Sequence, residues 1–328
     1  MEETLYIGNY TTNGINVMHI ENNKIFSNLQ FGTQFEINAH VCKYKDYIYC
    51  VAENRLDEVL GTGYVVAYKY NNDKVLFLNR KSTLGEGPCY LTIDNKREII
   101  YICNYSTGSI IVYKIEKDGR IGDQLLFQEY SKTSQIHHVQ FSENMEKLFI
   151  TDIGKNKLIE YLIDYNDEKL SLIYKSEYQF EENTRPRHIA VDNNVYVVSE
   201  DSCELFKFKN NNQLELLEKC SILEKNVPIE ENYTGCAIKI DKHNKFIYVS
   251  VRGHNSISVF KYIPTLELIQ SISCGGNCPR DIEFSKDMNH LICANYESNN
   301  LSIFSINNGL LSFEKSIDVE SPTCICVK

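Results

Sequence analysis

The sequence predicts an all-β protein, a seven-bladed β-propeller whose C-terminal strand closes the first blade. One strand-turn-strand unit recurs along the chain, and its copies keep an even spacing. The stretch Phe246 to Phe260, FIYVSVRGHNSISVF, is the clearest copy. Ile247, Val249 and Val251 alternate with Tyr248 and Ser250, a period of two that marks a strand with β-branched residues on a packed face. Gly253-His254-Asn255 breaks the strand, and Ser256 onward starts the next. Six further copies begin at Leu5, Ile48, Ile100, Leu148, Val195 and Leu291, so successive units lie roughly 43 to 52 residues apart. That period is the length of a four-stranded propeller blade.

The first copy starts too early to have an inner strand before it. Pro322-Thr-Cys-Ile-Cys-Val-Lys328 resembles the segment that precedes the unit elsewhere, such as Pro88-Cys-Tyr-Leu-Thr-Ile-Asp94. The C-terminal strand is therefore expected to complete blade 1, leaving no open edge in the ring. A single domain over residues 1–328 follows. Asn-rich patches such as Asn210-Asn211-Asn212 and Asn307-Asn308 fall between strands and read as turns.

The end of each repeated strand carries a polar residue where an apolar run stops: Asn9, Glu53, Asn104, Asp152, Glu200, Arg252 and Asn295. The preceding inner strands begin with Ile136-His137-His138, Pro186-Arg187-His188, Thr234-Gly235-Cys236 and Pro279-Arg280-Asp281. An antiparallel hairpin without irregularity sets Arg187 opposite Glu200, His137 by Asp152, Gly235 by Arg252 and Arg280 by Asn295. All of them are thereby expected at one mouth of the central channel. Its cation-capable groups contrast with the whole chain, which has 34 Lys and Arg against 44 Asp and Glu and a net charge of −10. Charges beyond a Debye length of about 8–10 Å are screened, so the local set decides what binds: a small anion.

The acidic balance argues against a nucleic-acid surface. No apolar run approaches a membrane span and no leader precedes the first strand, so a cytoplasmic protein without membrane contact is expected. Twelve cysteines without a dense small-domain framework suit buried thiols in a reducing compartment. Cys274 and Cys278 have no second Cys/His pair nearby to complete a metal site. The strand-end oxygens could suit Ca²⁺, but the arginines among them oppose an unpaired dication, and no metal or cofactor is expected. Oligomeric state is not legible.

Phe246–Phe260, followed by Gly275-Gly276 and Pro279-Arg280-Asp281, resembles the signature of the propeller lactonases, the family of the seven-bladed bacterial 6-phosphogluconolactonases and the fungal muconate lactonizing enzymes. Gly87-Pro88-Cys89, Asn104-Tyr105, His138-Val139-Gln140-Phe141-Ser142 with Asp152-Ile153-Gly154, and Pro186-Arg187-His188 match in order, so the similarity spans the chain. The family's hairpin turns differ from Asp192-Asn193-Asn194 and from Asp241 to Lys245, at the end of the blades away from the mouth. The resemblance implies a catalytic set of His137 (or adjacent His138), Arg187, Glu200 and Arg252. It also implies hydrolysis of 6-phosphogluconolactone, in the pentose phosphate route, without a metal.

Such chemistry needs a base to take a proton from water, and His137 and Glu200 are the candidates. Arg252 or Arg187 would stabilise the oxyanion. Arg280, Arg187, His188, His138, Asn104 and Asp152 are expected to hold substrate, with a guanidinium on its phosphate. Arg187 with Glu200 also has a plainer reading, as a cross-strand ion pair. A muconate-type lyase, a hydrolase of another sugar lactone and a non-catalytic ligand- or protein-binding propeller remain alternatives, because fold alone does not select among them.

Overall fold

The computed structural model describes residues 3–10, 15–21, 24–31, 37–53, 62–71, 74–211 and 213–327. Among the described residues twenty-eight strands form seven blades of four. The inner strands are Pro322–Val327 (blade 1), Ile37–Tyr44, Pro88–Asp94, Ile136–Phe141, Pro186–Val191, Thr234–Asp241 and Pro279–Phe284 (blade 7). Each pairs antiparallel with the repeated second strand, from Glu3–Asn9 in blade 1 to His290–Asn295 in blade 7. The C-terminal strand does close blade 1: Leu5 faces Val327 and Ile7 faces Ile325. A bridge between Asn9 and Asn38 links blades 1 and 2 into one eight-stranded sheet. Among the described residues no helix is long and apolar enough to cross a membrane.

The apolar alternation has a different use from the one expected. Strand Phe246–Arg252 has no solvent face. Ile247, Val249 and Val251 enter the cluster between blades 5 and 6, whereas Tyr248 enters the one between blades 6 and 7. Seven such clusters lie at the seven blade junctions, so the core is a ring of wedges. Polar atoms within them are tied to neighbours: Tyr248 Oη donates to Gly309 O (2.9 Å), and Ser250 Oγ accepts from Ala237 N (3.0 Å).

The regular hairpin register is corrected by one residue. Pro186 pairs with Ser199 and His188 with Val198, leaving Arg187 as the extra residue of a β-bulge. His137 and Arg280 are extra in the same way, with Ile136 facing Asp152 and Pro279 facing Asn295. In blade 6, Thr234 rather than Gly235 faces Arg252. Every blade has one extra residue at this point, the others being Thr323, Ala39, Cys89 and Cys236 in turn. A bulge re-aims side chains where pairing lapses, here around the channel.

Ile325, almost fully buried in blade 1, tests the closure. Ile325→Ala is expected to cost about 2–5 kcal/mol in denaturant titration. Deleting residues 322–328 is expected to abolish cooperative unfolding, read by circular dichroism.

Candidate active site

The bulges divide the channel side chains between two cavities. The extra residues Cys89, His137, Arg187 and Arg280 line a mouth cavity of about 440 Å³, together with Glu200, Arg252, Tyr10, Tyr105 and Tyr296. The residues that follow the bulges, Tyr90, His138, His188 and Asp281, line a second cavity of about 260 Å³ with His40 and Lys239. Adjacent His137 and His138 thus face different chambers. The larger cavity has the size of a small-molecule site.

Glu200 organises the mouth. Its Oε1 accepts from Arg187 Nε (3.0 Å) and Arg252 Nη2 (2.8 Å), and Oε2 lies 3.5 Å from Arg185 Nη2. Burial raises its pKa, but the charges of Arg187, Arg252 and Arg185 outweigh burial, and the carboxyl is held below its usual range. Arg187 is pinned further: Nη1 donates to Cys236 O (2.9 Å) and pairs with His188 Nε2 (3.0 Å). Arg252 keeps its Nε buried without a partner, an unmet donor beside the cavity.

Arg280 is different. Nη2 donates to Tyr10 Oη (2.9 Å), and its guanidinium lies over the rings of Tyr10 (4.7 Å) and Tyr296 (5.7 Å). Among the described residues no carboxylate forms an ion pair with it. Four guanidiniums, those of Arg185, Arg187, Arg252 and Arg280, therefore stand against the carboxylates of Glu200 and Asp201. The site as a whole suits an anion.

His137 is buried at the cavity wall with Nδ1 unpartnered, and its ring meets Tyr105 edge-on at 5.9 Å. Burial first, then the charge of Arg187, push its pKa well below the usual imidazole range, so the ring is neutral near pH 7. His138 and His188 are lowered in the same way. In the second cavity they stack at 4.6 Å, and Tyr90 separates His138 from His40.

Two expected substrate-binding residues are placed elsewhere. Asn104 is fully buried; its Nδ2 donates to Thr83 O (2.9 Å) and Ser109 Oγ (3.0 Å). Asp152 Oδ1 accepts from the backbone of Gln135 (2.9 Å) and Lys155 (3.1 Å), fixing a turn. Both are corrected to structural locks, because the short strand-end side chain meets its own blade's backbone first. Asn295 acts likewise through Cys274 O and Ser302 Oγ. The side chain of Glu53 lies outside the described residues. His138 and His188 are set back in the second cavity, where His188 touches Arg187. Among the described residues no group of three or more His, Cys, Asp or Glu is arranged to hold a metal ion, and no disulfide joins any of the twelve cysteines.

Sequence reading missed Tyr10, Tyr105, Tyr296, Cys89 and Arg185. A signal for the tyrosines was present: each follows a strand-end asparagine, as Asn9-Tyr10, Asn104-Tyr105 and Asn295-Tyr296. Cys89 Sγ donates to His137 O (3.4 Å).

The buried histidines set an expected acid response. Their folded pKa values lie below the unfolded value near 6.5, so the unfolded chain binds protons first as pH falls. Stability should be intact above about pH 6.5 and decline below it, continuing towards pH 3 for His40, which is lowered to about 3 by burial first. Asp281, raised to about 6 by burial, acts in the opposite sense as pH rises through that value. Four histidines outweigh one aspartate, and denaturation midpoints between pH 7.5 and 4 should fall monotonically.

Comparison with known proteins agrees with this architecture. The sequence model of the family "Lactonase, 7-bladed beta-propeller" matches residues 4–327. The 6-phosphogluconolactonase of Bacillus subtilis strain 168 is 25% identical over 345 residues, covering 98% of this chain and 97% of that protein. A crystal structure of a Lactobacillus plantarum protein superposes with a TM-score of 0.89 at 22% identity, each chain covered completely. The periplasmic gluconolactonase of Pseudomonas aeruginosa superposes at 0.85 with 19% identity, over 100% of this chain and 99% of its own. With a matching family model, the repeated blades and the closed ring in agreement, the chain belongs to the lactonase family of seven-bladed β-propellers.

Proposed function

We propose that this protein hydrolyses a phosphorylated sugar lactone, 6-phosphoglucono-δ-lactone, to the open acid. The observation that carries the reading is the mouth cavity, where a neutral imidazole and an arginine without a carboxylate partner among the described residues flank a carboxylate-fixed pair of guanidiniums. The name of the Bacillus subtilis relative agrees with this substrate.

Water is attacked by no strong base in this site, so the proton acceptor has to be a lone pair that is not already engaged. Glu200 is a poor candidate, since two guanidiniums occupy Oε1 and its pKa is held down. His137 serves instead. The imidazole takes a proton as water adds to the lactone carbonyl, giving a tetrahedral oxyanion. Arg252 and Arg187 face that charge, with Glu200 fixing their orientation and limiting their reorganisation. Collapse breaks the bond from the former carbonyl carbon to the ring oxygen. The imidazolium returns its proton to that oxygen, and the products are a carboxylic acid and a hydroxyl on the same chain. Because the pKa of His137 is lowered partly by the surrounding arginines, an anionic substrate offsets them and makes the ring more basic when it is needed.

The phosphate is assigned to Arg280, held between Tyr10 and Tyr296. Its guanidinium offers a charge-assisted contact that no internal carboxylate competes for. The same reading requires no metal, and activity should survive EDTA.

Hydrolysis of fresh 6-phosphoglucono-δ-lactone, corrected for the spontaneous rate, tests the proposal. His137→Ala should lower kcat by about 10²–10⁴-fold, and wild-type-like turnover would remove His137 as the base. Arg280→Gln should raise KM for the phosphorylated lactone by about 10- to 100-fold with kcat little changed. With the unphosphorylated lactone, whose own charge does not titrate, kcat/KM should stay level from pH 8 to about 6.5 and fall only below, because the base is neutral throughout that range.

A further inference from the structure

Arg185 stands at the mouth in a backbone conformation that favours glycine. Its φ is +53°, and the corresponding residue of blade 3 is Gly87, at +62°. Both immediately precede the proline that starts an inner strand. The fold imposes this left-handed turn, and Cys278 and Ser321 adopt it before their own prolines. A long charged side chain there is held against backbone strain that glycine would not feel. The turn itself is well anchored: Arg185 N donates to Asn156 Oδ1 (2.7 Å), and Arg185 O accepts from Glu200 N (2.8 Å).

The guanidinium is held far less firmly than those of Arg187 and Arg252. Nη2 donates to Tyr105 Oη at 3.1 Å and only reaches Glu200 Oε2 at 3.5 Å, while Nε lies 3.4 Å from Asp201, itself 44% exposed. The Arg185 side chain is 32% exposed. Tyr105 and Glu200 both line the mouth cavity, so Arg185 spans its rim from blade 5 to blade 3, past blade 4 and His137.

We infer that Arg185 is a specificity-determining residue, a second guanidinium that exchanges its loose contacts for the phosphate of the substrate. The inference rests on the phosphorylated-lactone reading above. A phosphate monoester carries close to two negative charges near pH 7. Among the described residues Arg280 has no carboxylate partner and Arg185 has only long ones, so these two are the cations of the mouth least committed to the protein. Arg187 and Arg252 stay with Glu200 at the reacting carbonyl. Arg185 therefore acts on the difference between phosphorylated and neutral lactones, leaving the chemical step to the others.

The test compares Arg185→Gln and Arg185→Gly with wild type on 6-phosphoglucono-δ-lactone and on glucono-δ-lactone, beside calorimetric binding of 6-phosphogluconate and gluconate. Both variants should lose about 10- to 100-fold in kcat/KM on the phosphorylated lactone, as a rise in KM, and change little on the neutral one. Binding of 6-phosphogluconate should weaken by a similar factor while that of gluconate holds. Arg185→Gly should keep or raise the thermal midpoint, because glycine relieves the turn. An equal loss on both lactones, or no loss on the phosphorylated one, overturns the assignment. Should wild type turn over neither lactone, the lactonase reading fails, and the binding arm still decides: 6-phosphogluconate bound no more tightly than gluconate, or equally by wild type and variants, overturns the role of Arg185.

Discussion

One extra residue in each inner strand governs the architecture of the channel. Seven blades meeting around an axis bring seven inner strands together, and regular pairing would run each without interruption past the mouth. The bulge breaks that regularity at one level in all seven blades. It leaves one residue unpaired per blade and separates the positions that see the mouth from those that see the chamber behind it. His137, Arg187 and Arg280 come from blades 4, 5 and 7, and they share one cavity because they occupy the same place in a repeated irregularity.

Two successive residues at the end of the repeated strand serve two purposes. In blades 3, 4 and 7 the first of them is Asn or Asp, which bonds nearby backbone and hydroxyl groups and locks the turn. One residue further on, where blades 1, 3 and 7 carry Tyr10, Tyr105 and Tyr296, blades 5 and 6 carry Glu200 and Arg252, which meet across a blade boundary. Position in the turn decides the outcome. The last polar residue of the strand is captured by its own turn, and the residue after it reaches the shared space.

The mouth also concentrates features that a purely structural channel would avoid. Buried imidazoles lie among arginines that disfavour their protonation. One carboxylate restrains three guanidiniums, and a fourth is cradled only by aromatic rings and a hydroxyl. An unmet donor remains on Arg252, and a non-glycine residue occupies a left-handed turn at the rim. Such costs are tolerated where the surrounding fold is rigid enough to over-determine them, and seven interlocked wedges supply that rigidity.

The sequence by itself determined the number of blades, the place of the C-terminal strand and the gathering of His137, Arg187, Glu200, Arg252 and Arg280 at one mouth. These follow from strand periodicity and from a repeat length that covalent order preserves. What it left undecided depends on side-chain reach and on register. A bulge adds one residue without changing composition or alternation visibly, so the pairings of Arg187 with Glu200 and of Gly235 with Arg252 were each off by one. Whether Asn104 or Asp152 faced ligand or backbone depended on what else stood within about 3 Å. The choice between His137 and His138 for the mouth, and the arrival of Tyr10, Tyr105 and Arg185 at its rim, were settled only when distant blades were brought together, because each depends on a neighbour remote in sequence.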